Sequence, residues 1–127
     1  MATLHVTDGP AQGESYALEQ HNVLMIGRDA VCSFQIIDPQ LSRVHLQVKF
    51  VQSEGRHYAI DFDSKNGVWV KGIKIDSETP LSDGDVIKIG DTTILYSTDD
   101  TLDAQQVRKV MKLFSAGRDQ TMTNDDA

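Results

Sequence analysis

From Thr3 to about Ser97, short runs rich in Val, Ile, Phe and Tyr are broken by Gly, Asp, Pro and Asn, the pattern of an all-β chain. The runs predict strands at Leu4–Thr7, Ser15–Leu18, Val23–Ile26, Phe34–Ile37, Val44–Val51, His57–Asp61, Val68–Val70, Ile73–Ile75, Val86–Ile89 and Thr93–Ser97. The clearest is Val44–Val51, where Val44, Leu46, Val48 and Phe50 alternate with polar residues and predict one buried face. So many short strands point to a two-sheet β-sandwich. Asp8-Gly9-Pro10, Ser53-Glu54-Gly55, Asn66-Gly67 and Asp83-Gly84-Asp85 carry the residues that turns with positive φ prefer.

After Ser97 the period changes. Thr98-Asp99-Asp100-Thr101 supplies capping oxygens, Asp103 puts an acid in the first turn, and Val107, Val110, Met111 and Phe114 recur at helical spacing. The spacing predicts one amphipathic α-helix over about 101–116, with Arg108, Lys109 and Lys112 toward its C-terminal end and Gly117 to stop it. Its apolar stripe packs on the sandwich or pairs with a second copy. Residues 118–127 hold one sizeable apolar residue and are expected to be a mobile tail. The expected organisation is therefore a binding domain over 1–98, a helix over 99–117 and a tail over 118–127.

A length of 127 residues suits one domain with a short extension. The net charge of −7, from nineteen acids against twelve Lys and Arg, argues against nucleic acid or an anionic membrane as partner. The distribution matters more than the total. Four of the basic residues before Ser97, namely Arg28, Arg43, Lys65 and Lys71, fall in or beside three turn clusters. Cys32 is the only cysteine, so no intrachain disulfide forms, and it reads as a small buried residue. The first residues show no basic segment followed by an apolar run, and a cytoplasmic address is the expectation. The four histidines lack metal-ligand spacing, and neither a metal nor a cofactor is expected.

The three clusters are Gly27-Arg28, Ser42-Arg43-Val44-His45 and Asn66-Gly67. Arginine offers a fixed fork of donors, serine a hydroxyl, and glycine a backbone that can approach a bulky anion, a set that suits a phosphoryl group. Asparagine carries donor and acceptor together, which suits gripping an extended peptide backbone. Ser42 and His45, with Asp61 and Asp63 downstream, share residue types with a hydrolase set. The serine lacks a Gly-x-Ser-x-Gly elbow, and the chain is read as a binding module rather than an enzyme.

The order Gly27-Arg28, Ser42-Arg43-x-His45, Asp61-x-Asp63-Ser64-Lys65-Asn66-Gly67 and Leu81-x-x-Gly84-Asp85-x-Ile87-x-Ile89-Gly90 resembles the forkhead-associated (FHA) domain over roughly residues 3–97. The resemblance implies a two-sheet sandwich of about eleven strands whose loops at one end bind phosphothreonine in an extended peptide. It assigns Arg28 and Ser42 to the phosphate, Arg43 and Lys65 to further phosphate contacts, and Asn66 to the ligand backbone. Gly27, His45 and Gly67 become loop-bracing positions, Gly27 by keeping its turn tight. Choice of the third residue after phosphothreonine would involve Gln40 and the 71–82 stretch, with Lys71 standing where the family often has an amide. Val68 likewise stands in place of a hydroxyl. Gln40 is neutral, so no preference for an acid follows. The implied function is phosphothreonine-dependent protein binding in Ser/Thr kinase signalling, and the alternative is a phosphate-independent interaction scaffold of the same fold. The ligand would be a phosphothreonine protein or the chain's own tail, phosphorylated at Thr121 or Thr123.

Overall fold

The computed structural model describes residues 2–18 and 23–98; the expected helix and tail lie outside the described residues. Eleven strands run in chain order: β1 (Ala2–Asp8), β2 (Ser15–Leu18), β3 (Val23–Gly27), β4 (Phe34–Gln35), β5 (Leu46–Val51), β6 (Arg56–Asp61), β7 (Trp69–Val70), β8 (Ile73–Lys74), β9 (Thr79–Pro80), β10 (Val86–Ile89) and β11 (Thr92–Ser97). They form a six-stranded sheet in the order β2-β1-β11-β10-β7-β8 and a five-stranded sheet in the order β4-β3-β5-β6-β9.

Alternation explains the stacking of the sheets. In the first, Leu4 lies opposite Tyr96, and Ile87 lies opposite both Ile94 and Val70. In the second, Ile26 lies opposite Leu46, and Val48 lies opposite Leu24 and Ala59. All of these are buried and form one core between the sheets. Each large side chain removed from water there contributes about 1.5–3 kcal/mol, so truncating a fully buried one such as Leu46 to alanine would cost about 2–5 kcal/mol.

Several elements differ from the sequence expectation. Val44 and Phe50 are only half-buried, and β5 begins at Leu46. The predicted strand over 34–37 ends at Gln35, and Ile37 is exposed because Asp38 folds back, its N–H donating to the Ile36 carbonyl (3.0 Å). β9 has no alternating apolar signal, yet it pairs with β6, placing Pro80 opposite Tyr58. It lies at the edge of its sheet, where a residue without an N–H is tolerated. Cys32 is buried, and its thiol donates to the Arg43 carbonyl (3.2 Å). Desolvation by burial pushes that thiol above its ordinary value, which keeps it protonated and unreactive.

Candidate functional site

The β3–β4, β4–β5 and β6–β7 loops meet at one end of the sandwich, and backbone bonds start the assembly. Arg28 N–H donates to the Ser42 carbonyl (3.2 Å), Asp29 N–H to the Arg43 carbonyl (3.0 Å), and His45 N–H to the Ile26 carbonyl (2.9 Å). This approach is possible only because residue 27 is glycine. A Cβ there would lie 2.2 Å from the Arg43 carbonyl oxygen and 2.9 Å from Val44 Cα. Gly27 has no positive φ, so it serves close backbone approach rather than a tight turn.

His45 is fully buried between two of the loops. Its Nδ1 accepts the Ser42 N–H (3.0 Å), which makes Nε2 the protonated nitrogen, and Nε2–H donates to the Gly67 carbonyl (2.7 Å). The imidazole thus ties the Ser42 loop to the Asn66-Gly67 loop. Around it, Ser42 Oγ accepts the Lys65 N–H (2.9 Å), Ser64 Oγ accepts the Gly67 N–H (2.9 Å), and Asp61 Oδ1 accepts the Ser64 N–H (2.8 Å). Gly67 holds φ +90°, a conformation open to glycine at little cost.

The predicted ligand residues rim this assembly. The Nε–H of Arg28 donates to the Leu41 carbonyl (3.1 Å), which orients the guanidinium and leaves both Nη groups without a partner among the described residues. Ser42 Oγ is engaged as an acceptor, so its hydroxyl proton remains available to donate. The side chains of Arg43 and Lys65 are exposed and have no ion-pair partner among the described residues. Asn66 Nδ2 donates to the Gln40 carbonyl (2.8 Å), fixing the amide and leaving its oxygen to accept. Lys71 stands apart: it takes φ +54°, and its Nζ lies 3.6 Å from Oδ1 of the buried Asp85. That contact ties the exposed Lys71 side chain to the start of β10.

Asp38, which carries no sequence motif, is the hidden organiser of the β4–β5 loop. It is fully buried. Its Oδ1 accepts the Gln40 N–H (2.9 Å), while Oδ2 accepts the Asp91 N–H (2.9 Å) and the Thr92 hydroxyl (2.8 Å). It therefore joins the loop bearing Ser42 to the β10–β11 turn. An aspartate before Pro39 is the available signal, and it reads equally as an ordinary turn. Beside the loops, a groove of about 480 Å³ lies among Gln40, Asn66, Trp69, Val86, Lys88 and Thr93. Among the described residues no group of three or more His, Cys, Asp or Glu side chains stands close enough to hold a metal.

Comparison with known proteins places this geometry. The FHA domain profile matches residues 24–90. FHA domain-containing protein PS1 from Arabidopsis thaliana is 30% identical over 80 residues, which are 61% of this chain and 5% of that protein. FHA domain-containing protein FhaA from Mycobacterium tuberculosis (strain ATCC 25618 / H37Rv) is 35% identical over 95 residues, 73% of this chain and 16% of that protein. The chain thus spans a small part of the length of these relatives. A solved structure from work on phosphothreonine-dependent FHA domain interactions aligns with a TM-score of 0.68 at 28% identity, covering 77% of this chain and 96% of the other. With the profile covering over half its length and the sandwich aligning with that solved structure, the chain belongs to the FHA domain family.

Proposed function

We propose that this chain binds phosphothreonine in extended segments of partner proteins and acts as an adaptor in Ser/Thr kinase signalling. The observation that carries the reading is the buried His45 bridge, which holds the Ser42 and Gly67 loops together at the rim where Arg28 presents two Nη groups that have no partner among the described residues. The phosphate accepts from Arg28 Nη and the Ser42 hydroxyl, with Arg43 and Lys65 supplying further positive charge. Asn66 holds the ligand backbone through its free amide oxygen, and Gln40 stands beside it for side chains further along. Charge-assisted bonds contribute about 1.5–3 kcal/mol each, so two or three account for most of a micromolar affinity of about −8 kcal/mol. A pocket for the threonine methyl would add about 0.8 kcal/mol over serine.

The work on phosphothreonine-dependent FHA interactions supports this reading, as does a solved complex of the FhaA FHA domain with the intracellular domain of Rv3910. The test is calorimetric titration of a phosphothreonine peptide library, with phosphoserine and unphosphorylated counterparts, into the protein and its Arg28→Ala variant. Phosphothreonine-selective binding lost in the variant is expected. Equal binding of phosphorylated and unphosphorylated peptides, or full affinity in Arg28→Ala, would refute it.

A further inference from the structure

The outer face of the six-stranded sheet holds a contradiction between strand parity and burial. Along β1 and β11 the core side chains are Leu4, Val6, Ile94 and Tyr96, so His5, Leu95 and Ser97 point to the opposite face. Val86 and Lys88 of β10 share that face, with Val86 opposite Leu95 and Lys88 opposite both Thr93 and Trp69. An uncovered outer face is solvated. Lys88, Ser15 and Ala17 on this face are indeed exposed, yet His5, Leu95 and Ser97 are only 6, 6 and 5% exposed. Leu95 is buried without belonging to the core between the sheets. Desolvation pushes the His5 imidazole below its ordinary value, and its Nδ1 has no hydrogen-bond partner. The middle of this face is therefore shielded from water, and the face continues into the groove between Val86, Trp69 and Thr93.

The geometry points to residues 101–116 as the occupant: an amphipathic helix docked on the outer face of the six-stranded sheet, its apolar stripe over Leu95 and in the Val86–Trp69–Thr93 groove. The chain is delivered there directly. β11 starts at the Asp91 turn, which Asp38 ties to the ligand loops, and ends at Ser97, at the far end of the same face. Thr98 N–H then donates to Asp83 Oδ1 (2.8 Å), which fixes the exit point. Sixteen helical residues span about 24 Å. The six residues of β11 span about 20 Å, so a helix returning along the face reaches the groove with its C-terminal half. That half carries Val110, Met111 and Phe114, with Val107 just before it on the same stripe, while Arg108, Lys109 and Lys112 fall on the opposite side. Gln40 and Asn66 line both the groove and the ligand loops, so the docked segment also brings Thr121 and Thr123 to the end that carries Arg28 and Ser42.

Trp69 is the only tryptophan and lines the groove, so it reports occupancy in the full chain. In the wild-type protein, nuclear Overhauser contacts are expected between the Phe114 ring or Val110 and Met111 methyl groups and the Val86 methyl groups or Trp69 indole. In Phe114→Asp and Val110→Asp variants, Trp69 emission is expected to shift to the red and its quenching by acrylamide to rise, with amide dispersion of the sandwich retained. Absence of those contacts in the wild type overturns the assignment, whatever the variants do. So does unchanged Trp69 emission in both folded variants. Contacts or emission that vary with protein concentration overturn it in favour of a second copy. None of these measurements requires phosphopeptide, so the result stands apart from the ligand-binding reading.

Discussion

Replacing His45 with alanine tests whether the loop end is held by one buried side chain. The imidazole makes two hydrogen bonds, from Ser42 N–H and to the Gly67 carbonyl, and is fully buried. Gly67 is buried, so its carbonyl loses its partner where water has poor access, at about 1–3 kcal/mol. Ser42 is half-buried and water can reach its N–H, so that bond costs about 1 kcal/mol. The void left by the ring adds about 1 kcal/mol or more, giving about 3–5 kcal/mol in all. A domain near the middle of the ordinary range of about 5–15 kcal/mol tolerates that loss and stays largely folded. Binding suffers separately, because Ser42, Lys65 and Asn66 must then be ordered by the ligand at about 0.5–1.5 kcal/mol per side chain, or about tenfold or more in affinity. Urea unfolding gives the first quantity, and titration of a phosphothreonine peptide below the unfolding transition gives the second. A His45→Ala protein destabilised by less than about 1 kcal/mol, or binding within about twofold of wild type, would refute the bridge as the organising contact.

Other expectations follow from the same geometry. Gly27→Ala drives a Cβ into the Arg43 carbonyl, so unfolding should show a loss of about 2–4 kcal/mol from overpacking and strained loop bonds, and a normal midpoint would contradict it. Asp38→Ala leaves the Gln40 and Asp91 amides and the Thr92 hydroxyl without their acceptor; a loss of about 2–5 kcal/mol is expected, with hydrogen exchange accelerated at Gln40 and Asp91. His57 is buried with Nδ1 against the Tyr96 hydroxyl (2.9 Å), and desolvation lowers its pKa, as it does for His5. The unfolded chain therefore binds more protons as pH falls below about 6.5, and stability should fall from that pH downward until the lowered folded-state values are passed. His57→Gln should flatten the curve in urea midpoints measured between about pH 7.5 and 5, and an unaltered slope would refute the assignment.

The parts of this molecule legible in its sequence are those with a local cause. Alternation in Leu46-Gln47-Val48 fixes which face is buried, and that property survives folding unchanged. Arg28, Ser42, His45 and Asn66 are visible because their order along the chain mirrors the order of the loops that carry them. Asp38 is not, since its hydrogen-bond partners at Asp91 and Thr92 lie more than fifty residues away and nothing local marks a buried carboxylate. The Lys71–Asp85 contact is likewise invisible in the sequence, because it exists only once β10 lies beside β7. β9 escapes because its pairing with β6 is imposed by the neighbouring strand rather than by its own composition.

The site also shows how a chain of net charge −7 can keep a local positive field. Three carboxylates at the loops are committed to backbone donors: Asp61 to Ser64 N–H, Asp29 to Val31 N–H (3.0 Å), and Asp38 to Gln40 and Asp91. Asp38 and Asp61, buried and half-buried, are worth more there than in an exposed ion pair, whose usual contribution is about 0–1 kcal/mol, because a polar group left without a partner at such a place costs more than that. Arg28, Arg43 and Lys65 are left without carboxylate partners among the described residues. The same bonds that hold the loops in shape therefore keep the cations available, so a dianionic phosphate of the proposed ligand would meet donors it does not have to win from these acids. Stability of the loop end and capacity for an anion are in this way one feature of the sequence, which is why changes at buried positions such as Gly27 and His45 should weaken binding without touching the ligand.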